Sequence, residues 1–91
     1  MGMDIDFDPR KDAANRDKHG ISLAEAADLE WDTLISAPDQ RSSYGEQRMV
    51  GYALRDDRVY CVVYTDRGAV RRIISLRKAN AREVRHYASQ V

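Results

Sequence analysis

Val62-Val63-Tyr64-Thr65-Asp66-Arg67-Gly68, running on through Ala69-Val70 into Arg71-Arg72-Ile73-Ile74-Ser75-Leu76-Arg77-Lys78, reads as two β-strands joined by a tight turn. β-Branched and aromatic residues fill both runs, and Asp-Arg-Gly supplies the turn chemistry between them. The second run also carries four cations and a serine. A strand kept only for packing alternates apolar with mixed polar residues. This one places positive charge on both faces, which points to a bound anion, with phosphate the first candidate.

Outward from this hairpin the same period of two continues. Glu46 to Leu54 reads as a strand, Arg55-Asp56-Asp57 as a turn, Arg58 to Thr65 as the next strand and Ala69 to Lys78 as the last. Such short turns join only antiparallel neighbours, so the three strands form a meander. Toward the amino terminus, Ile5 and Phe7 alternate with aspartates as a short strand. Asp8-Pro9 then opens a helix that Gly20 stops. Ser22 with Glu25 makes a capping box for a second helix, in which Leu23, Ala26, Ala27 and Trp31 share one face. Residues 37–45 read as a long loop. Asn80 caps a final helix whose apolar stripe is Ala81, Val84, Ala88 and Val91. The expected fold is α+β: a small, curved antiparallel sheet, with two N-terminal helices and one C-terminal helix packed on one side of it.

The chain of 91 residues is long enough for one domain, 1–91, with one modest core. Its zero net charge hides a division: residues 1–45 hold five Lys/Arg against ten Asp/Glu, and residues 46–91 hold ten against five. The halves either neutralise each other across their packing surface or divide into an anion-binding half and an acidic half. Cys61 is alone, so no disulfide framework or cysteine-based zinc site is expected, and it reads as a small core residue. The longest apolar run, Val59 to Tyr64, is far short of the roughly 20 residues that cross a bilayer. Residues 1–6 lack the pattern of a signal peptide, so a cytoplasmic protein without a membrane partner is expected. No acidic or His/Cys cluster has metal spacing, and no cofactor is expected.

Strict alternation along the last strand puts Arg71, Ile73, Ser75 and Arg77 on an open basic face. Val70, Arg72, Ile74, Leu76 and Lys78 look toward the helices, unless a bulge re-aims one of them. Arg77 is the leading candidate for holding a phosphate, since a guanidinium binds two oxygens at once; the competing reading is a salt bridge to Glu83. Arg72 either shares that role or pairs with an acidic residue at the margin of the core. Lys18 and His19 end the first helix, where the dipole favours cations by about 0.3–1 kcal/mol each. His19 also suits proton transfer near neutrality. Tyr64 offers base stacking or a phosphate hydrogen bond, against plain strand packing. Arg48 adds to the basic surface if its face coincides with that of Arg77, with an ion pair to Glu46 as the other reading. Tyr87 either approaches an anion bound on the sheet or anchors its helix to the sheet, and His86 reads as a solvated surface residue.

The chain resembles the BrnT family of toxins from bacterial type II toxin–antitoxin modules. The resemblance rests on Asp8-Pro9-x-Lys11, Asn15-x-x-Lys18-His19-Gly20-Ile21-Ser22, Val63-Tyr64-Thr65-x-Arg67-Gly68 and Arg72-Ile73-Ile74-Ser75-x-Arg77-Lys78-Ala79, with Glu83 and Tyr87 behind them. These pieces stand in order from Ile5 to Tyr87. Phe7 departs from a commoner Trp, and Trp31 from the usual Phe. The resemblance implies a RelE-like fold and a metal-independent ribonuclease that arrests growth. It also implies a BrnA-like antitoxin with a ribbon-helix-helix domain, a 2:2 complex, and contact with operator DNA only through that antitoxin.

Metal-free RNA cleavage needs a base for the 2′-OH, cations for the phosphorane and an acid for the departing 5′-oxygen, and it yields a 2′,3′-cyclic phosphate. Arg77, Arg72, His19, Lys18 and Tyr64 are the candidate catalytic residues. Arg48, Arg71, Ser75, Lys78 and Tyr87 are the candidate RNA contacts. The alternative is a non-catalytic module that binds RNA or an acidic partner on the same basic face; binding needs only the cations, whereas cleavage also needs a proton-transfer group beside them.

Overall fold

The computed structural model describes residues 4–40 and 45–91. Residues 1–3, read above for a leader, and residues 41–44 of the expected loop lie outside the described residues. The elements are β1 (Asp4–Phe7), α1 (Pro9–His19), a 3-10 segment (Leu23–Asp28), β2 (Glu30–Pro38), β3 (Met49–Arg55), β4 (Arg58–Arg67), β5 (Val70–Lys78) and α2 (Ala81–Gln90). The five strands form one sheet in the order β1-β5-β4-β3-β2. The β3–β4–β5 meander stands as expected, but the sheet is mixed, because β1 runs parallel to β5.

Local signals set α1. The Asp8 side chain accepts from the Arg10 N–H, Pro9 takes the first turn, and Gly20 closes the helix at φ 72°. The second expected helix is only a six-residue 3-10 segment, with the Ser22–Glu25 capping box intact. Asp12 fastens it to α1: its Oδ1 accepts from the Leu23 N–H at 2.7 Å and from the Ser22 hydroxyl at 2.9 Å.

Trp31 belongs to a strand, β2, that the sequence reading did not separate from the preceding helix. The indole Nε1–H folds back to donate to the Ala26 carbonyl at 3.1 Å. A register shift between Glu30 and Ile35 also breaks the alternation of β2. Thr33 bridges that irregularity, donating to the Glu30 carbonyl and accepting from the Leu54 N–H at 2.9 Å. Gly51 lets β3 approach β2 closely: a Cβ there would stand 2.7 Å from the Leu34 side chain.

Leu23, Ala26, Leu29, Ala53, Tyr60, Val62, Tyr64, Ile73 and Leu76 make the core, between one face of the sheet and the 3-10 segment. Two features of β5 shape everything beyond it. β1 pairs with β5 only as far as Phe7 with Ile73, so the outer edge of β5 would be bare after that. The Asn15 side chain takes over, donating to the Leu76 carbonyl at 2.8 Å and accepting from the Leu76 N–H at 3.2 Å. The second feature is a register shift opposite Val63 and Tyr64 that leaves Ile74 as an extra residue. Arg72, Ser75 and Arg77 thereby share the face of Thr65, Val63 and Cys61, while Arg71, Ile73 and Leu76 turn toward the core. The expected faces of Arg71 and Arg72 are thus exchanged, with the bulge as the cause.

The helices do not share one side of the sheet. α2 lies over the face opposite the core, held by Glu83 and Tyr87 rather than by its apolar stripe. Ala81, Val84 and Ala88 are exposed, and Val91 is 78% exposed. The sheet surface beneath α2 presents the Arg77 guanidinium, the Tyr52 hydroxyl and the Thr33 carbonyl, so polar groups dock this helix.

Candidate active site

Tyr52, Cys61 and Arg77 lie directly across β3, β4 and β5 as one row. Glu83 of α2 closes over both ends of it. Its Oε1 accepts from Arg77 Nη1 at 2.8 Å and its Oε2 from Arg77 Nη2 at 2.9 Å, while Oε2 also accepts from the Tyr52 hydroxyl at 3.2 Å. The Asn80 N–H adds a further bond at 2.9 Å through the capping box of α2. The Arg77 guanidinium, first of all, then the Asn80 N–H, hold the Glu83 carboxyl down at about 2. The same ion pair raises Arg77, and burial, then the charges of Cys61 and Glu83, push Tyr52 up to about 12.

The salt bridge to Glu83 uses the tip of the guanidinium, and Nη1 also donates to the Lys78 carbonyl at 3.3 Å. The side edge, Nε–H with the remaining Nη2–H, has no acceptor among the described residues. That edge has the geometry of a two-pronged phosphate contact. Of the two readings of Arg77, the salt bridge to Glu83 is present, and the side edge of the same guanidinium is left over from it.

Lys18, His19, Ser75, Arg77 and Glu83 line one groove on this face, floored by Val50, Cys61 and Val63. Gly20 ends α1 so that Lys18 and His19 stand beside β5, and Asn15, one turn earlier, pins the helix to Leu76, the residue before Arg77. Burial, then the charges of Lys18 and Arg77, lower the pKa of His19 from its ordinary 6.5. The imidazole is accordingly neutral at pH 7 and able to accept a proton.

The other candidates are spread over the molecule. Lys78 lies in an adjoining concavity that shares Lys18, His19 and Arg77 with the groove. Arg72 faces the same way as Arg77 but at the far end of the sheet, where its Nη1 bonds Asp6 at 3.1 Å. Arg48 immediately precedes β3, and Glu46 is lowered by its hydrogen bond to Arg67 first of all, with the charges of Arg67, Arg48 and Arg72 adding to it. Glu46 itself pairs with Arg67. Tyr64 is 2% exposed on the opposite face and bonds Ser36, so it is a packing residue in this fold. Arg71 lies over the Tyr64 ring at 4.2 Å and the Trp31 ring at 5.0 Å, and it is tied to Asp66. Tyr87 is buried and donates to the Thr33 carbonyl at 2.8 Å, which makes it the anchor of α2. His86 is exposed, edge-on to Tyr52.

Glu83 and Tyr52 went unnamed as site residues in the sequence reading. The capping-box spacing of Asn80 and Glu83 was the available signal for the first; for Tyr52 nothing local marks it. Among the described residues no group of three or more His, Cys, Asp or Glu side chains is placed to hold a metal ion. No helix among them is long and apolar enough to cross a membrane.

A family model described as ribonuclease toxin, BrnT, of type II toxin–antitoxin system matches residues 7–83. A search of the curated proteins finds no match.

Proposed function

Since the chain belongs to the BrnT family of ribonuclease toxins of type II toxin–antitoxin systems, we propose that it is an endoribonuclease that cleaves RNA without a metal in the groove between α1, β5 and α2. One observation carries this reading: Lys18, His19 and Arg77 meet in a single groove, a proton acceptor beside two cations. In the proposed reaction, neutral His19 takes the proton from the ribose 2′-OH. The side edge of Arg77 grips two oxygens of the scissile phosphate as negative charge grows on them. Lys18 adds positive charge and supplies the proton to the leaving 5′-oxygen, and the product is a 2′,3′-cyclic phosphate. Ser75 and Lys78 contact the RNA near this centre, with Arg48 and Arg72 farther along the same face.

The family implies an antitoxin partner. A ribbon-helix-helix, BrnA-like protein in a 2:2 complex is the proposed form, covering the groove and carrying operator binding. Tyr64, Arg71 and Tyr87 are left out of the mechanism because their side chains are committed to packing or anchoring.

The test is cleavage of a labelled single-stranded RNA in EDTA by purified protein, beside Arg77→Ala with matching circular dichroism. Cyclic phosphate ends from the native protein and none from the variant support the reading. RNA binding without cleavage, even with ribosomes present, would instead favour a non-catalytic binding module.

A further inference from the structure

The groove does not end at Arg77. A second concavity opens on the other side of the Lys18–His19–Arg77 centre, around the end of β5, where Arg55, Tyr60 and Lys78 form its far wall. Its cations differ in availability. Arg77 is bound to Glu83, and Arg55 to Glu25 at 2.8 Å, while among the described residues Lys18 and Lys78 have no carboxylate within ion-pairing distance. Two uncommitted ammonium groups thus stand along one path, Lys18 at the centre and exposed Lys78 beyond it.

Arg55 is held flat. Its guanidinium lies 5.7 Å from the Tyr60 ring centroid and is fixed in direction by Glu25, with Asp28 at 3.8 Å. Tyr60 itself is 7% exposed, while the Arg55 side chain keeps 22% exposure where it lines the concavity. A guanidinium plane fixed on one side by an aromatic ring is a platform for a nucleobase, and an ammonium near it is a phosphate contact.

We propose that this concavity is a nucleotide subsite for single-stranded RNA, adjoining the scissile position, in which Arg55 stacks on the base of the neighbouring nucleotide and Lys78 holds its phosphate. The inference rests on the ribonuclease reading for the identity of the ligand as RNA. It makes the site two-sided: RNA threads from the groove over β3 and β4, past the reacting centre, and around the end of β5.

The test uses a fluorescent single-stranded RNA heptamer fully 2′-O-methylated, which lacks the nucleophile and stays intact, read by anisotropy. Lys78→Ala and Arg55→Lys are each expected to weaken binding about 3- to 10-fold, with unchanged circular dichroism. Abasic residues scanned through the heptamer should weaken native binding at one position, and that penalty should vanish in Arg55→Lys. Binding by both variants equal to that of the native protein overturns the subsite. Cleavage of ordinary RNA is measured in parallel. If RNA is bound with these dependences but never cut, the nuclease mechanism falls and the subsite stands. If RNA is cut equally well by all three proteins and bound equally, the subsite alone falls.

Discussion

Glu83 holds Arg77 by the tip of its guanidinium, with bonds of 2.8 and 2.9 Å, and leaves the side edge without an acceptor among the described residues. A long, flexible side chain is thereby fixed before any phosphate arrives, which is the arrangement electrostatic catalysis rewards. Replacing Glu83 by Gln keeps the size but gives up the charge and one acceptor. The expected outcome for Glu83→Gln is a kcat about 10- to 100-fold lower, because a misplaced contact costs rate, while affinity for uncleavable RNA changes little. Single-turnover cleavage and anisotropy on the same preparation separate the two. A variant as fast as the native protein would show that Glu83 only caps α2.

Arg77→Lys tests the two-pronged contact directly. A lysine keeps the positive charge but offers a point donor in place of the side edge. Loss of one such donor from a reacting centre costs about 100- to 1000-fold in kcat, so this variant should bind RNA yet cleave it at least 100-fold more slowly. Full activity in Arg77→Lys would reduce the role of the guanidinium to bulk charge.

The acid limb of the rate profile should belong to His19. Its pKa is depressed by burial and by Lys18 and Arg77, so kcat/KM should rise through a pH below 6.5 and be flat near 7. His19→Gln should remove that limb along with most of the activity. An unchanged acid limb in the residual activity of that variant would assign the base elsewhere.

Stability should fall in acid for a related reason. Glu83 titrates at about 2 in the folded protein against an ordinary 4.5. Its stabilising effect is complete above 4.5 and is lost as pH falls from there toward 2. His19 acts in the same direction over a higher window, because below 6.5 the unfolded chain binds that proton more readily than the folded one. Urea unfolding at pH 7, 5 and 3 should show Glu83→Gln less stable than the native protein at neutrality, with the gap clearly narrowed at pH 3. A gap of constant size would mean that the ion pair is not what Glu83 contributes.

What was legible in the sequence was what short-range chemistry dictates. Asp8-Pro9 and Gly20 bound α1, and Asp56-Asp57, both at positive φ, turn β3 into β4. The grouping of Lys18, His19 and Arg77 followed from no local signal; it depends on α1 lying along β5, and only the family resemblance carried it. Three of the missed features come from tertiary exceptions to what sequence periods lead one to expect. Ile74 shifts the alternation of β5 and so exchanges Arg71 with Arg72. Trp31 stands in a strand, yet its indole reaches back to bond Ala26 in the preceding segment. α2 inverts its amphipathic logic, since Arg77, Tyr52 and the Thr33 carbonyl give its polar side a better surface than its valines would find.

Asn15 deserves its own experiment because it substitutes for a strand. Its amide gives Leu76 both the donor and the acceptor that β1 stops providing after Phe7, and Nδ2 also reaches the Ile21 carbonyl at 2.9 Å. At 6% exposure water does not readily replace it. Asn15→Ala leaves two buried backbone groups of Leu76 unsatisfied, at about 1–3 kcal/mol apiece, so a loss of about 2–6 kcal/mol is expected in urea unfolding. Asn15→Asp should be at least as harmful, since a carboxylate can accept from the Leu76 N–H but turns its second oxygen against the two carbonyls. Because α1 carries Lys18 and His19 to the groove, a folded remnant of either variant should also cleave RNA more slowly than its folded fraction accounts for. Native stability in Asn15→Ala would mean that the edge of β5 is satisfied without it, and that α1 is positioned by Asp12 and the 3-10 segment alone.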